Sequence, residues 1–207
     1  MSAIQRRPIS ARALLPATGA ALMFGLIVAL ADGCAARVAN SNDERARKAF
    51  DSVRAVLQHP RCQNCHISGD VPLQLDTSLP HAQNVQRGPA GLGRDGMHCG
   101  TCHGEKNPPA SYGLHIPPGA PNWRLPPPQV KVVFMGLGPQ ELCRSIKDPA
   151  QMGGKDLAGV LDYVAHDELV GWGWDPGPGR STPPLTRTAF VQAFQDWMHA
   201  GAPCPRS

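Results

Sequence analysis

Two five-residue segments limit what this chain can fold into: Cys62-Gln63-Asn64-Cys65-His66 and Cys99-Gly100-Thr101-Cys102-His103. Both read CxxCH, and they are the chain's only internal repeat. In such a segment the two thiols add across the vinyl groups of a haem and form thioethers. The histidine directly after the second cysteine then lies under the iron and supplies one axial nitrogen. The segments therefore predict two haem c groups, attached through Cys62, Cys65, Cys99 and Cys102, with His66 and His103 as proximal iron ligands. A four-cysteine zinc ribbon is the competing reading, but it leaves the histidine after each pair without a role. A thioredoxin-like dithiol does not need that histidine either, and it belongs in a βαβ setting.

Composition agrees with a protein built around a cofactor. The 207 residues include 22 glycines and 22 prolines, and aromatics make up only 5%. Such a chain is short of regular structure and of its own core, and a large apolar macrocycle supplies the missing burial. The expected fold is mainly α with extensive ordered loops, a cytochrome c-like dihaem protein folded around its cofactors. Ser41 and Glu44 form a capping box, and Ala46, Phe50, Val53 and Leu57 recur at helical spacing up to His59-Pro60. Further helices are expected over Pro139 to Lys147, Asp156 to His166 and Thr188 to Ala200. The stretch 66–98 reads as an ordered loop, Pro108 to Pro128 as a proline-rich traverse, and Gly171 to Gly177 as irregular. No segment carries a clear strand signal.

The N-terminal segment reads as an export signal. Arg6, Arg7 and Arg12 precede a mostly apolar run from Leu14 to Leu30, which Pro16, Gly19 and Gly25 interrupt, and a small-residue site follows. A signal peptide over 1–31, with cleavage between 31 and 36, leaves one dihaem cytochrome c domain over 37–207 in the periplasm. Removing residues 1–31 lowers the formal charge from +4 to +1, which gives no case for nucleic-acid binding. Seven cysteines are present. After the motifs take four, an oxidising compartment favours a disulfide between Cys143 and Cys204. Cys34 remains. It matches a lipidation signal in part, which would put the protein on a membrane, and cleavage after Ala36 would remove it instead.

Each iron needs a partner on its other face. Histidines 59, 81, 98, 115, 166 and 199 and methionines 97, 135, 152 and 198 are unassigned. His81 and His166 are the preferred distal candidates. His81 sits in a loop fifteen residues beyond His66, far enough for the chain to pass round a haem edge. His166 shares a helix side with Gly159, where the small residue would leave room for a haem. Methionine more often fills core gaps than binds metal.

Several segments together resemble a family of small exported bacterial dihaem cytochromes, often labelled isoquinoline 1-oxidoreductase subunit. They include HPRCQNCH (59–66), GDVPLQLD (69–76), MHCGTCHG (97–104), PPGAPNW (117–123), ELCRSIKDP (141–149), HDELVGWGWDPGPGR (166–180) and GAPCP (201–205). The resemblance implies an electron carrier that serves a redox partner protein such as a periplasmic molybdenum hydroxylase or dehydrogenase. The segment 129–134 departs from the family pattern, which often has a methionine there. The expected function is outer-sphere electron transfer with no catalytic residue. The alternative is a peroxidase-like enzyme acting at one open haem.

Overall fold

The computed structural model describes residues 42–206. The expected export signal and cleavage site, Cys34 and the expected Ser41 cap all lie outside the described residues. The first helix, α1, covers 42–57 and ends where Pro60 forces His59 into an extended conformation (φ −74°, ψ 147°). His59 then caps the short helix α2 (Pro60–Gln63), its ring nitrogen accepting from the Arg61 amide.

After a long irregular traverse come α3 (Pro139–Lys147), α4 (Leu157–His166), α5 (Glu168–Gly171) and α6 (Arg187–His199). Each start has a local cause. Pro139 occupies the first turn of α3, where its missing N–H costs nothing. Asp156, Asp167 and Thr186 cap α4, α5 and α6 by accepting from the amides of Gly159, Val170 and Ala189. Arg187 reaches from α6 to the end of α4, donating to the Val164 and Asp167 carbonyls at 2.9 and 2.6 Å. It thus satisfies acceptors that a helix end leaves open.

The apolar faces of these helices form one core. Phe50, Val53 and Val56 come from α1, Leu142 and Ile146 from α3, Val164 from α4, and Phe190, Phe194 and Trp197 from α6. Large side chains buried this fully contribute roughly 1.5–3 kcal/mol each. The expected disulfide forms: Cys143 is bonded to Cys204, which ties the C-terminal tail to α3. Trp197 and Lys147 support the tail by donating to the Pro203 and Ala202 carbonyls.

The architecture is helix-rich, as expected, with two differences. The stretch Gly171 to Gly177, read as irregular, contains a helical turn over Trp172–Trp174 that directly follows α5. Its glycines and tryptophans hide the turn, which has no side-chain cap of its own. Two very short antiparallel pairings also occur in the loop between the motifs. They are β1 (Leu73–Gln74) with β2 (Leu79–Pro80), and β3 (Gly93–Arg94) with β4 (Met97–His98). Strands of two residues carry no alternation that a sequence could reveal. No helix among the described residues is long and apolar enough to cross a membrane.

Candidate functional site

Both CxxCH segments fold as single tight turns. Cys62 begins within α2, and the His66 amide donates to the Cys62 carbonyl; the His103 amide likewise donates to the Cys99 carbonyl at 3.0 Å.

What happens to the two histidine rings is the informative part. His66 Nδ1 lies 2.8 Å from the Val132 carbonyl, and His103 Nδ1 lies 2.7 Å from the Pro118 carbonyl. A carbonyl only accepts, so Nδ1 carries the proton in both rings and Nε2 keeps its lone pair. An aromatic side chain from the same downstream segment then fixes each ring plane. Phe134 stacks on His66 with ring centres 4.2 Å apart, and Trp123 stacks on His103 at 4.3 Å with the planes within 5°. The His66 carbonyl accepts from the Phe134 and Met135 amides, which locks that wrap in place. Burial pushes His66 down to about 4 against the raising effect of the Val132 carbonyl, and burial also lowers His103. Both imidazoles are therefore neutral at physiological pH.

The thiols point the same way. Burial pushes Cys62 up to about 12 and Cys65 up to about 11. A thioether carries no charge and tolerates such a site, whereas a zinc thiolate or a reactive dithiol needs the ionised sulfur that burial opposes. No group of three or more His, Cys, Asp or Glu side chains converges as a metal cage among the described residues. The two motifs are neighbours, since Cys99 adds to the upward push on Cys65.

His81 joins the second motif. Its ring centre lies 6.2 Å from that of His103, with the planes 68° apart. His81 Nδ1 is held 2.9 Å from the Ala82 carbonyl, which leaves its Nε2 free as well. Two metal–nitrogen bonds of about 2 Å each, plus the half-widths of two imidazole rings, come to about 6 Å. The spacing therefore suits two imidazoles that share one metal.

His166 is placed differently. Its side chain is 75% exposed in the last turn of α4, and Nδ1 contacts the carbonyl and carboxylate of Asp162, both at 3.0 Å. The room expected beside Gly159 is taken by the Lys155 and Asp156 side chains, and Lys155 also lies over the Tyr163 ring. The structure brings His81 to a motif histidine and leaves His166 on the surface.

Two buried arginines hold the loops around the motifs. Arg87 donates to the Ile67, Gly69 and Pro126 carbonyls and to Asp70. Arg61, next to Cys62, pairs with Asp76 and lies 5.8 Å from the centre of the Trp172 ring. Trp172 in turn meets Trp123 edge-on at 4.8 Å. Sequence reasoning did not find Val132, Pro118, Phe134, Trp123 or the arginines as parts of the site. The one available hint was Trp123, within the segment PPGAPNW.

Comparison with family models, curated proteins and solved structures gives no match. The functional reading therefore rests on this geometry and on the motifs.

Proposed function

We propose that this chain is an exported electron carrier with two covalently attached c-type haems. The observation that carries the reading is the state of the two motif histidines. Each is neutral, holds its Nδ1 proton on a backbone carbonyl, and is clamped by an aromatic ring so that Nε2 remains as a fixed donor. Metal-binding histidines commonly have their other nitrogen oriented in this way.

Cys62 and Cys65 would hold the first group with His66 as proximal ligand, and Cys99 and Cys102 the second with His103. Each haem, when bound, supplies an iron that cycles between ferric and ferrous states. The chain sets the orientation and burial of the ligands. His81, at 6.2 Å from His103, supports a second axial histidine at the second haem, and a six-coordinate iron favours electron transfer over chemistry on a bound small molecule. Leu79 and Leu92 are about half exposed beside this site, and a macrocycle would cover such surface. The partner is a redox protein; the family resemblance suggests a periplasmic molybdenum hydroxylase.

The test is expression of the full chain with a cytochrome c maturation system, followed by a pyridine haemochrome assay and CO binding to the ferrous protein. The expected result is two thioether-linked haems per chain. In His81→Ala one haem becomes high-spin and binds CO, whereas His166→Ala leaves the spectrum unchanged. A chain that binds zinc stoichiometrically and no covalent haem would refute the reading. Rapid CO binding together with peroxide turnover in the wild type would favour the enzyme alternative.

A further inference from the structure

Asn107 lies four residues beyond His103, touches neither histidine of the second site, and yet holds both structures that fix the His103 ring. Its Oδ1 accepts from Trp172 Nε1 at 3.1 Å and from the Gly119 amide at 3.2 Å. Its Nδ2 donates to the Asp175 carbonyl at 2.7 Å, anchoring the amide to the turn after Trp174. Through Trp172 it supports Trp123, which lies face to face on His103. Through Gly119 it supports the neighbouring Pro118 carbonyl, which takes the His103 Nδ1 proton. The Gly119 segment cannot drift inward, because a Cβ at Gly119 would overlap the Gly104 and Lys106 carbonyls.

The consequence concerns ring orientation. Rotation of the His103 imidazole about its axial direction would break the near-coplanar stack on Trp123 and turn Nδ1–H away from Pro118. With both restraints in place, the His103 and His81 planes stand 68° apart. Axial imidazoles at so steep an angle leave two iron d orbitals nearly degenerate and give a strongly anisotropic ferric low-spin signal. Near-parallel rings lift that degeneracy and give an ordinary rhombic one. We propose that Asn107 is a positioning residue for the second site, setting the plane of the His103 imidazole and hence its steep angle to His81. The inference rests on the reading that these two histidines share one iron.

The experiment is electron paramagnetic resonance of the ferric holoprotein, with His81→Ala marking which low-spin signal belongs to the second haem. In the wild type that signal should be of the strongly anisotropic type. Asn107→Leu should shift it toward a rhombic signal while the first haem's signal stays in place. Trp172→Phe keeps an aromatic side chain beside Trp123 and removes the donor to Asn107, so it should shift the signal in the same direction as Asn107→Leu. If Asn107→Leu yields no folded holoprotein, Trp172→Phe decides by the same criterion. A rhombic wild-type signal would overturn the proposal. So would an unchanged signal in the deciding variant with two haems per chain. By contrast, absence of covalent haem, or a His81→Ala variant that keeps both low-spin signals, would defeat the dihaem reading itself, whatever Asn107 does.

Discussion

Removing the Cys143–Cys204 disulfide should cost stability without disturbing either motif. The bond joins residues 61 apart in sequence, and none of the six motif residues lies between them, so haem attachment does not shorten this loop. Applied to a loop of that length, the chain-entropy relation gives about 4 kcal/mol at 25 °C. In the double variant Cys143→Ala/Cys204→Ala the tail keeps the Trp197–Pro203 and Lys147–Ala202 hydrogen bonds, so it stays docked and the loss arises in the unfolded chain. A loss of about 4 kcal/mol corresponds to a fall in Tm of about 10 °C for a domain of this size. Urea unfolding of the holoprotein, followed by far-ultraviolet circular dichroism, measures the change. The haem spectra should match wild type, because the docked tail keeps the apolar cluster that Cys143 shares with Phe134 in place, and with it the clamp on His66. A loss below about 1 kcal/mol would refute the entropic argument. Loss of a low-spin haem signal would refute the claim that the tail stays docked.

Asp76→Asn should remove part of the protein's acid sensitivity. Burial alone would raise the Asp76 carboxyl, but hydrogen bonds from Ser181 and the charge of Arg61 hold it below the usual carboxylate range. A depressed folded pKa means that this contribution is full above the ordinary carboxylate value and is lost as pH falls through the lowered one. The variant should be less stable at neutral pH by about 1 kcal/mol, discounted from the cost of breaking a fully buried pair because the carboxylate is partly exposed. Its stability should also fall less steeply in acid; an unchanged acid limb in urea titrations across pH would contradict this. Gly119→Ala should cost roughly 2–3 kcal/mol, since the added methyl meets backbone carbonyls rather than flexible side chains. Thermal melts read that loss, and a variant within experimental error of wild type would show that the 104–106 segment yields easily.

What the sequence reveals here divides along a physical line. Side-chain chemistry with fixed local spacing is legible: the CxxCH turns, Pro139 at the start of α3, and the apolar stripes of α1, α4 and α6. His81 is legible as a candidate because fifteen residues let the chain return to a haem edge, although the motif it joins is the one ahead of it. His166 shows the limit, because a helix periodicity does not say that Lys155 will cover the space beside Gly159. The acceptors for the motif histidines are the least legible of all. Every residue has a carbonyl, so nothing at Val132 or Pro118 marks it, and each lies far along the chain from the ring it holds. The turn over Trp172–Trp174 fails for another reason, since Gly171-Trp172-Gly173-Trp174 has loop composition and is helical through its continuity with α5 and its tertiary packing.

The two sites are alike in design but unlike in strain. Each histidine is wrapped by a later segment that offers one carbonyl and one aromatic face. At the second site the acceptor is Pro118, beside a glycine that permits close backbone approach. At the first it is Val132, whose φ of 49° is a left-handed conformation that β-branched residues avoid. Such a residue costs of order 1–3 kcal/mol and persists only where its surroundings over-determine it. Here they do: the Phe134 and Met135 amides are bonded to the His66 carbonyl, and Lys131 is bonded to the Ser68 carbonyl and to Asp70. Asp70 also receives Arg87, whose guanidinium reaches the Pro126 carbonyl in the segment beyond the second site. The strained wrap of His66 and the glycine-lined wrap of His103 are thus tied through one buried arginine. The loop region, which has few buried apolar side chains of its own, holds its histidines by hydrogen bonds where the helical region holds its shape by packing.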